Sequence, residues 1–446
     1  MVGNRISVRI LWLSLSFTIP IAMSAPAGAE IKNIVVSSTS DIGPFRGKSY
    51  REVKATMQGV APGGAYSVPV VLAFPKKAAD HNGFALVDII NTVTIGKAEF
   101  VLGGRPLPLA RSHIGDDFLF GNGNAYVDVM WDKSAVEALD NGKIATPADG
   151  YTIVRDAAAL ARNPASYLPA DVGTAPASRK IVAYGYSQTG ALLRGWYFDH
   201  RNTQGGSLAF DGALIAGAGG WCEDLGNPNE GKNCPGGLAD GGKVIVLSSE
   251  TDVERGGYAE RSDRGDYRVI EIAGVSHIPS TAFDFRNHGM AEQNPVGFEP
   301  VFRAALVDLQ EWLKGREPPL SIAIELSDAP PQGTVRAAAR DADGNAKGGV
   351  RLPHMPTVLD NGSKTGAPLG HYTGFAWDYE KSNRFFTISG TFTPFPKDKL
   401  RTLYPTRDAY VSLVSLAAKD LVAKRYILQE DADAYIEAAT RSDIGD

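Results

Sequence analysis

Residues 180–194 read KIVAYGYSQTGALLR. An apolar run, Ile181-Val182-Ala183-Tyr184, leads into Gly185-Tyr186-Ser187-Gln188-Thr189-Gly190, and the helix-compatible Ala191-Leu192-Leu193 follows at once. Strand, tight turn, serine, helix is the layout of a nucleophile elbow, in which a strained turn exposes a serine hydroxyl. Gly185 lets the chain pass close to its neighbours. The N–H of Gln188 would open a helix, where backbone donors favour developing negative charge, so Gln188 is a candidate oxyanion donor. The usual spacing is G-x-S-x-G; here Thr189 stands in the second glycine's place and Gly190 comes one later. The plain alternative is a Gly-rich turn with an incidental serine. The surrounding chain has to choose between them.

Outward from this stretch, nearly continuous apolar runs recur at residues 84–90, 125–130, 210–216, 243–247 and 267–272. Such runs suit strands covered on both faces. Helix-compatible segments lie between several of them, at 152–162 and 191–198, and alternation of this kind predicts a mostly parallel sheet with helices on both faces. Residues 34–36 and 68–74 predict strands in a β-rich N-terminal part. Phe302, Ala305, Leu306, Leu309 and Trp312 recur at helical spacing over 294–314, with Gly315 and Pro318-Pro319 as stop signals. Residues 320–405 are rich in Gly, Pro and Asp, and helical patterning returns over 409–440.

A serine nucleophile needs a base, and the base needs an orienting acid. In this sheet architecture they follow the serine on later strand ends, in the order Ser, acid, His. Beyond the 243–247 run comes Ser248-Ser-Glu250-Thr-Asp252-Val-Glu254, and beyond the 267–272 run comes Ala273-Gly-Val-Ser-His277. His277 is therefore the candidate base. An extended strand end would place Glu250, Asp252 and Glu254 on one side. Asp252 is preferred over Glu250 because Asp favours turns and its short carboxylate can be held rigidly. The loop after residue 90 should supply a second oxyanion donor, with Asn91 and Thr92 as candidates.

The N-terminus reads as a targeting segment. Arg5 and Arg9 precede a mostly apolar stretch over 10–23, and Ala27-Gly-Ala29 offers a cleavage site before Glu30. The run is too short for a membrane span of about 20 residues. An exported chain is expected, periplasmic or secreted. Residues 1–29 hold those two arginines and no acid, so their removal takes the net charge from −5 to −7. That balance gives no reason to expect nucleic acid or an anionic membrane as partner. Cys222 and Cys234 are the only cysteines. In an exported chain they predict one local disulfide.

Two motifs are decoys. Residues 237–243 fit GxxxxGK, but Val244 replaces the required Ser or Thr and a strand follows rather than precedes. Asp341-Ala-Asp-Gly-Asn345 hints at a calcium loop, but its twelfth position is Leu352 rather than Glu. Neither a metal nor a cofactor is expected.

These residues resemble the large α/β-hydrolase-domain proteins of bacteria, whose elbow reads G-[YF]-S-Q-[ST]-G, matched here by Gly185 to Gly190. The similarity continues through Glu250-Thr-Asp-Val253, Ala273-Gly-Val-Ser-His277, Trp312-Leu-Lys-Gly-Arg-Glu-Pro-Pro319 and Gly344-Asn-Ala-Lys-Gly-Gly-Val-Arg-Leu-Pro353, and covers most of residues 85–440. It departs at Asn91-Thr-Val93, where Asn-Arg-Gly would be expected. The resemblance implies an α/β-hydrolase fold and a serine-hydrolase mechanism. The expected organisation is a signal peptide over 1–29, a hydrolase core with the β-rich part over 30–319, and a C-terminal extension packed on it over 320–446. The expected substrate is a small-molecule carboxylic ester. An amidase or lactonase would use the same residues, and a catalytically silent binding protein is the alternative of another class.

Overall fold

The computed structural model describes residues 30–92, 106–223, 225, 232–234, 240–255, 260–328, 337–376 and 384–445. The expected targeting segment over 1–29 lies outside them. The central sheet contains β1 (Ile31–Phe45), β2 (Lys48–Ala61), β3 (Gly64–Pro75), β4 (Phe84–Ile89), β5 (Ala125–Val129), β6 (Lys180–Tyr186), β7 (Gly212–Ala216), β8 (Lys243–Ser249) and β9 (Tyr267–Ile272). Their spatial order is β1-β2-β3-β5-β4-β6-β7-β8-β9. From β5 to β9 all neighbours run parallel; β1, β2 and β3 form an antiparallel meander joined to β5. The mostly parallel sheet expected from the apolar runs is therefore present.

Why continuous apolar runs make these strands is visible in their two faces. Ile181 and Ala183 face one core while Val182, Tyr184 and Tyr186 face the other, and Val244 and Val246 alternate with Ile245 and Leu247 in the same way. Helices cover both sides. On the first lie α3 (Gly150–Arg162) and α4 (Gln188–Phe198). On the second lie α1 (Leu109–Ile114), α2 (Asp116–Gly121) and α6 (Glu299–Trp312). Each fully buried Leu or Ile in these layers contributes about 2 kcal/mol. The short α5 (Glu250–Arg255) follows β8 directly.

One strand departs from the sequence reading. β2 carries no strong apolar run, because its inward residues include Ala55 and Met57 beside Val53. Ala and Met are not strong strand formers, so the period-2 signal is faint. The helical patterning over 409–440 resolves into α7 (Arg407–Ala423) and α8 (Gln429–Thr440), and between them Arg425 takes a left-handed φ of 65°. The chain beyond residue 320 also lies along the sheet edge. Ile322 and Val350 each exchange backbone hydrogen bonds with β9 and its end, which pairs groups an edge strand would otherwise leave open. Cys222 and Cys234 form the expected disulfide.

The sheet also buries acids. Asp128 on β5 is 8% exposed, and burial pushes its carboxyl up to about 7, although it accepts from the Val71 N–H at 3.0 Å. A carboxyl whose folded value exceeds its unfolded one binds more protons when folded. Its contribution to stability is complete below the unfolded value and is lost as pH rises through about 7. Wild type is expected to lose about 1 kcal/mol from this group between pH 6 and pH 8. Asp128→Asn should remove that part of the slope, measured by urea unfolding at both pH values. An unchanged slope in the variant would refute the assignment.

Candidate active site

β6 ends at Tyr186 and α4 begins at Gln188, so the turn between them is a single residue, Ser187. Ser187 sits at φ 58°, ψ −115°, a conformation that costs a non-glycine residue of order 1–3 kcal/mol. The surrounding sequence holds it there. Ser187 N–H donates to Ala216 O at 2.9 Å, and Tyr186 N–H donates to Thr189 Oγ1 at 2.9 Å. Thr189 thus closes the turn with its hydroxyl from the position usually given to glycine. Gly190 takes over the steric duty: a Cβ there would lie 2.2 Å from Ala216 O, and one on Gly185 would lie 2.4 Å from Thr189 O. The displaced glycine therefore follows from which residue abuts β7.

His277 reaches this turn from the loop after β9. Its Nε2 lies 3.0 Å from Ser187 Oγ, and its Nδ1 lies 2.7 Å from Asp252 Oδ1. An ionised Asp can only accept, so Nδ1 carries the proton and Nε2 accepts from the Ser187 hydroxyl. The other Asp252 oxygen accepts from Ser249 N–H at 2.8 Å and Ser249 Oγ at 2.7 Å, which orients the carboxylate. The His277 backbone is fixed as well: its N–H donates to Thr251 Oγ1 at 3.0 Å, and its carbonyl accepts from the Tyr186 phenol.

The three acids after β8 do not share a side. The extended strand end expected from sequence is instead the helix α5, and about 100° per residue turns Asp252 away from Glu250 while bringing Glu250 and Glu254 onto one face. Asp252 faces His277. Glu250 accepts from Gly274 N–H at 2.8 Å and Gly374 N–H at 3.0 Å and pairs with Arg340 at 2.6 Å. Glu254 accepts from Arg340 at 3.0 Å, and burial with the neighbouring Glu250 charge pushes its carboxyl up to about 7.

Asn91 and Thr92 perform a different task from the one expected. The Asn91 N–H donates to Leu107 O at 3.2 Å and its side-chain amide to Tyr186 O at 3.0 Å. Thr92 gives its N–H, at 2.9 Å, and its hydroxyl, at 3.1 Å, to Gln188 Oε1. Both donors are engaged, so this loop braces the elbow from two sides. Val93, next in that loop, lies outside the described residues. The backbone of Gln188 opens α4, placing its N–H beside Ser187 among the helix donors that have no intrahelical acceptor.

Sequence reasoning missed His113, which lies beneath the site. It is buried on α1, bonds Tyr184 Oη through Nδ1 at 2.7 Å, and packs edge-on to Tyr186 with ring centroids 4.5 Å apart. Burial, then the nearby His277, pushes it down to about 3, so it is a neutral packing residue. A lone histidine gives no signal of this kind. Among the described residues no group of His, Cys, Asp and Glu is arranged to hold a metal ion, and no helix is long and apolar enough to cross a membrane.

Residues 45–437 match the model of the alpha/beta hydrolase domain family. The chain belongs to it. Solved structures similar to this α/β-hydrolase include the rice cell wall degrading esterase LipA from Xanthomonas oryzae, at 15% identity over 43% of this chain and 50% of that one, with a TM-score of 0.29. A putative dienelactone hydrolase from Klebsiella pneumoniae is similar at 13% identity over 53% of this chain and 85% of that one, TM-score 0.27. A glucuronoyl esterase from Solibacter usitatus is similar at 14% identity over 52% and 70%, TM-score 0.28. The match spans half the length of the Xanthomonas esterase. No curated protein matches the chain.

Proposed function

We propose that this α/β-hydrolase is an exported serine hydrolase that cleaves small-molecule carboxylic esters. One observation carries the proposal: Ser187 Oγ, on a strained turn, is linked through His277 to Asp252 by contacts of 3.0 and 2.7 Å. In the reading proposed, His277 Nε2 takes the hydroxyl proton as Ser187 Oγ attacks the ester carbonyl. Asp252 stabilises the imidazolium that forms and keeps the ring in the required tautomer. The Gln188 N–H, at the positive end of α4, donates to the tetrahedral oxyanion. Collapse expels the alcohol, which receives the proton from His277. Water then attacks the acyl-enzyme with His277 again as base, releasing the acid and restoring Ser187.

Export is supported by the charged and apolar pattern of residues 1–29 and by the disulfide, a bond that persists in oxidising compartments.

The test is a panel of p-nitrophenyl esters of graded acyl length, run beside a p-nitroanilide of the same acyl group. Ester turnover with a preference for one acyl length is expected, and anilide turnover at least about 100-fold slower. Comparable turnover of the anilide would reassign the chain as an amidase. No turnover of any ester would leave the silent binding protein as the better reading.

A further inference from the structure

We propose that residues 337–376 are a positioning clamp for the acid and base of the active site, with Arg340 and Gly374 as its positioning residues. The inference rests on the reading of Ser187, His277 and Asp252 as the reacting groups, and it gives a task to part of the chain that the chemistry itself does not use.

The clamp grips α5 at two points. Arg340 reaches the face of α5 opposite Asp252 and pairs with Glu250 at 2.6 Å and Glu254 at 3.0 Å. Both carboxylates are buried, at 0% and 3% exposed, and no other salt bridge joins either of them among the described residues. Two acids one turn apart repel, and inside the protein that repulsion is not screened by water. Arg340 offsets it with one bifurcated cation, and two residues earlier in the chain the Ala338 N–H donates to Glu254 at 3.0 Å. Without the cation this face of the helix would carry uncompensated buried charge.

The second grip is Gly374. Its N–H donates to Glu250 at 3.0 Å, and its carbonyl accepts from the Thr251 hydroxyl. That hydroxyl is the group that accepts the His277 N–H at 3.0 Å. A chain of contacts thus runs from Gly374 through Thr251 to the backbone of the base. Only glycine fits: a Cβ would stand 2.5 Å from Thr251 N and 2.7 Å from Glu250 Cβ. Glu250 closes the circuit by accepting from Gly274 N–H at 2.8 Å, on the loop that carries His277.

The two grips form one unit. Buried Asn345 accepts from Tyr372 N–H at 2.9 Å and donates to Gly370 O at 3.2 Å, joining the turn after Arg340 to the strand before Gly374. The clamp therefore sets where α5 sits, and α5 sets where Asp252 meets His277. Arg340 and Gly374 act through other groups and are not catalytic residues.

The experiment uses the full mature chain and three variants, Arg340→Met, Arg340→Lys and Gly374→Ala. Steady-state kinetics on the best p-nitrophenyl ester should show kcat lowered about 100-fold in Arg340→Met and Gly374→Ala, since displacement of order 1 Å in a reacting constellation has that effect. KM should stay within about threefold, because the interaction lost is one that serves the transition state. Arg340→Lys, which keeps a cation, should recover at least about tenfold of the loss. Backbone hydrogen exchange should rise in both damaged variants over 250–255 and 274–277 while the β4–β7 strands stay protected. A kcat within about threefold of wild type in both Arg340→Met and Gly374→Ala would overturn the clamp. So would a Lys variant no better than Met. If wild type turns over no ester and a fluorophosphonate leaves Ser187 unlabelled, the hydrolase reading fails by itself. Hydrogen exchange then decides the clamp alone: local deprotection sustains it, and unchanged protection in both variants refutes it.

Discussion

Ser187→Ala is expected to abolish labelling of the protein by a fluorophosphonate and to lower kcat on the best ester about 10⁶-fold, with KM changed little. The size of the effect follows from what the serine does. It supplies the bond-forming oxygen, and removing it eliminates the acyl-enzyme route rather than slowing one step of it. Selectivity for this serine follows from its surroundings. Ser187 Oγ lies 3.0 Å from His277 Nε2, with the first N–H of α4 beside it. As fluoride leaves, the serine is joined to a tetrahedral phosphorus whose polarised P=O oxygen takes the place such a site prepares for the oxyanion. The alanine variant should fold as the wild type does, because Ser187 is held by its backbone N–H to Ala216 and its hydroxyl faces the imidazole. Unfolding temperature should therefore stay close to that of the parent. Labelling or ester turnover that survives the substitution at more than about 1% of wild type would remove the mechanism.

The second expected result separates acids that lie two residues apart. Asp252→Asn should lower kcat about 10⁴-fold, because an amide no longer selects the tautomer in which Nε2 is free to take the serine proton. The fold should tolerate it, since the remaining oxygen can still accept from Ser249. Glu250→Gln should act the other way round. Its kcat should fall no further than about 100-fold, the loss expected of a disturbed clamp, while stability falls by about 3 kcal/mol, because a buried carboxylate that pairs with Arg340 has been removed. Each variant is thus read twice, by kinetics and by urea unfolding. A crippled Glu250→Gln enzyme beside an active Asp252→Asn enzyme would reverse the assignment.

Much of the architecture was legible because it rests on local patterns. Strands β4 to β9 are buried on both faces and so appear as nearly continuous apolar runs, and the elbow announces itself by glycines at positions where backbone approaches backbone. The same logic placed Ser187 and His277 at strand ends, since the end of a parallel strand is where a loop can aim a side chain across the sheet. β2 was not legible, because its inward face is built partly from Ala and Met, whose strand preference is weak.

The acid shows where reading along the chain stops. Glu250, Asp252 and Glu254 stand at equal intervals in the sequence, and any local rule treats them nearly alike. What separates them is that residues 250–255 coil rather than extend, which depends on partners far away: Gly374 and Arg340 satisfy Glu250, and Ala338 and Arg340 satisfy Glu254. Asn91 and Thr92 teach the same lesson, since their donors went to Tyr186, Leu107 and Gln188 rather than toward a substrate. Sequence alone settled the α/β sheet and the serine elbow, because apolar period and glycine sterics are properties of a few adjacent residues. Which carboxylate meets the imidazole was a matter for the folded chain, because a charge is assigned its role by the groups around it, and the partners that tell Glu250 from Asp252, namely Gly274, His277 and Gly374, come from residues 24 to 124 positions away.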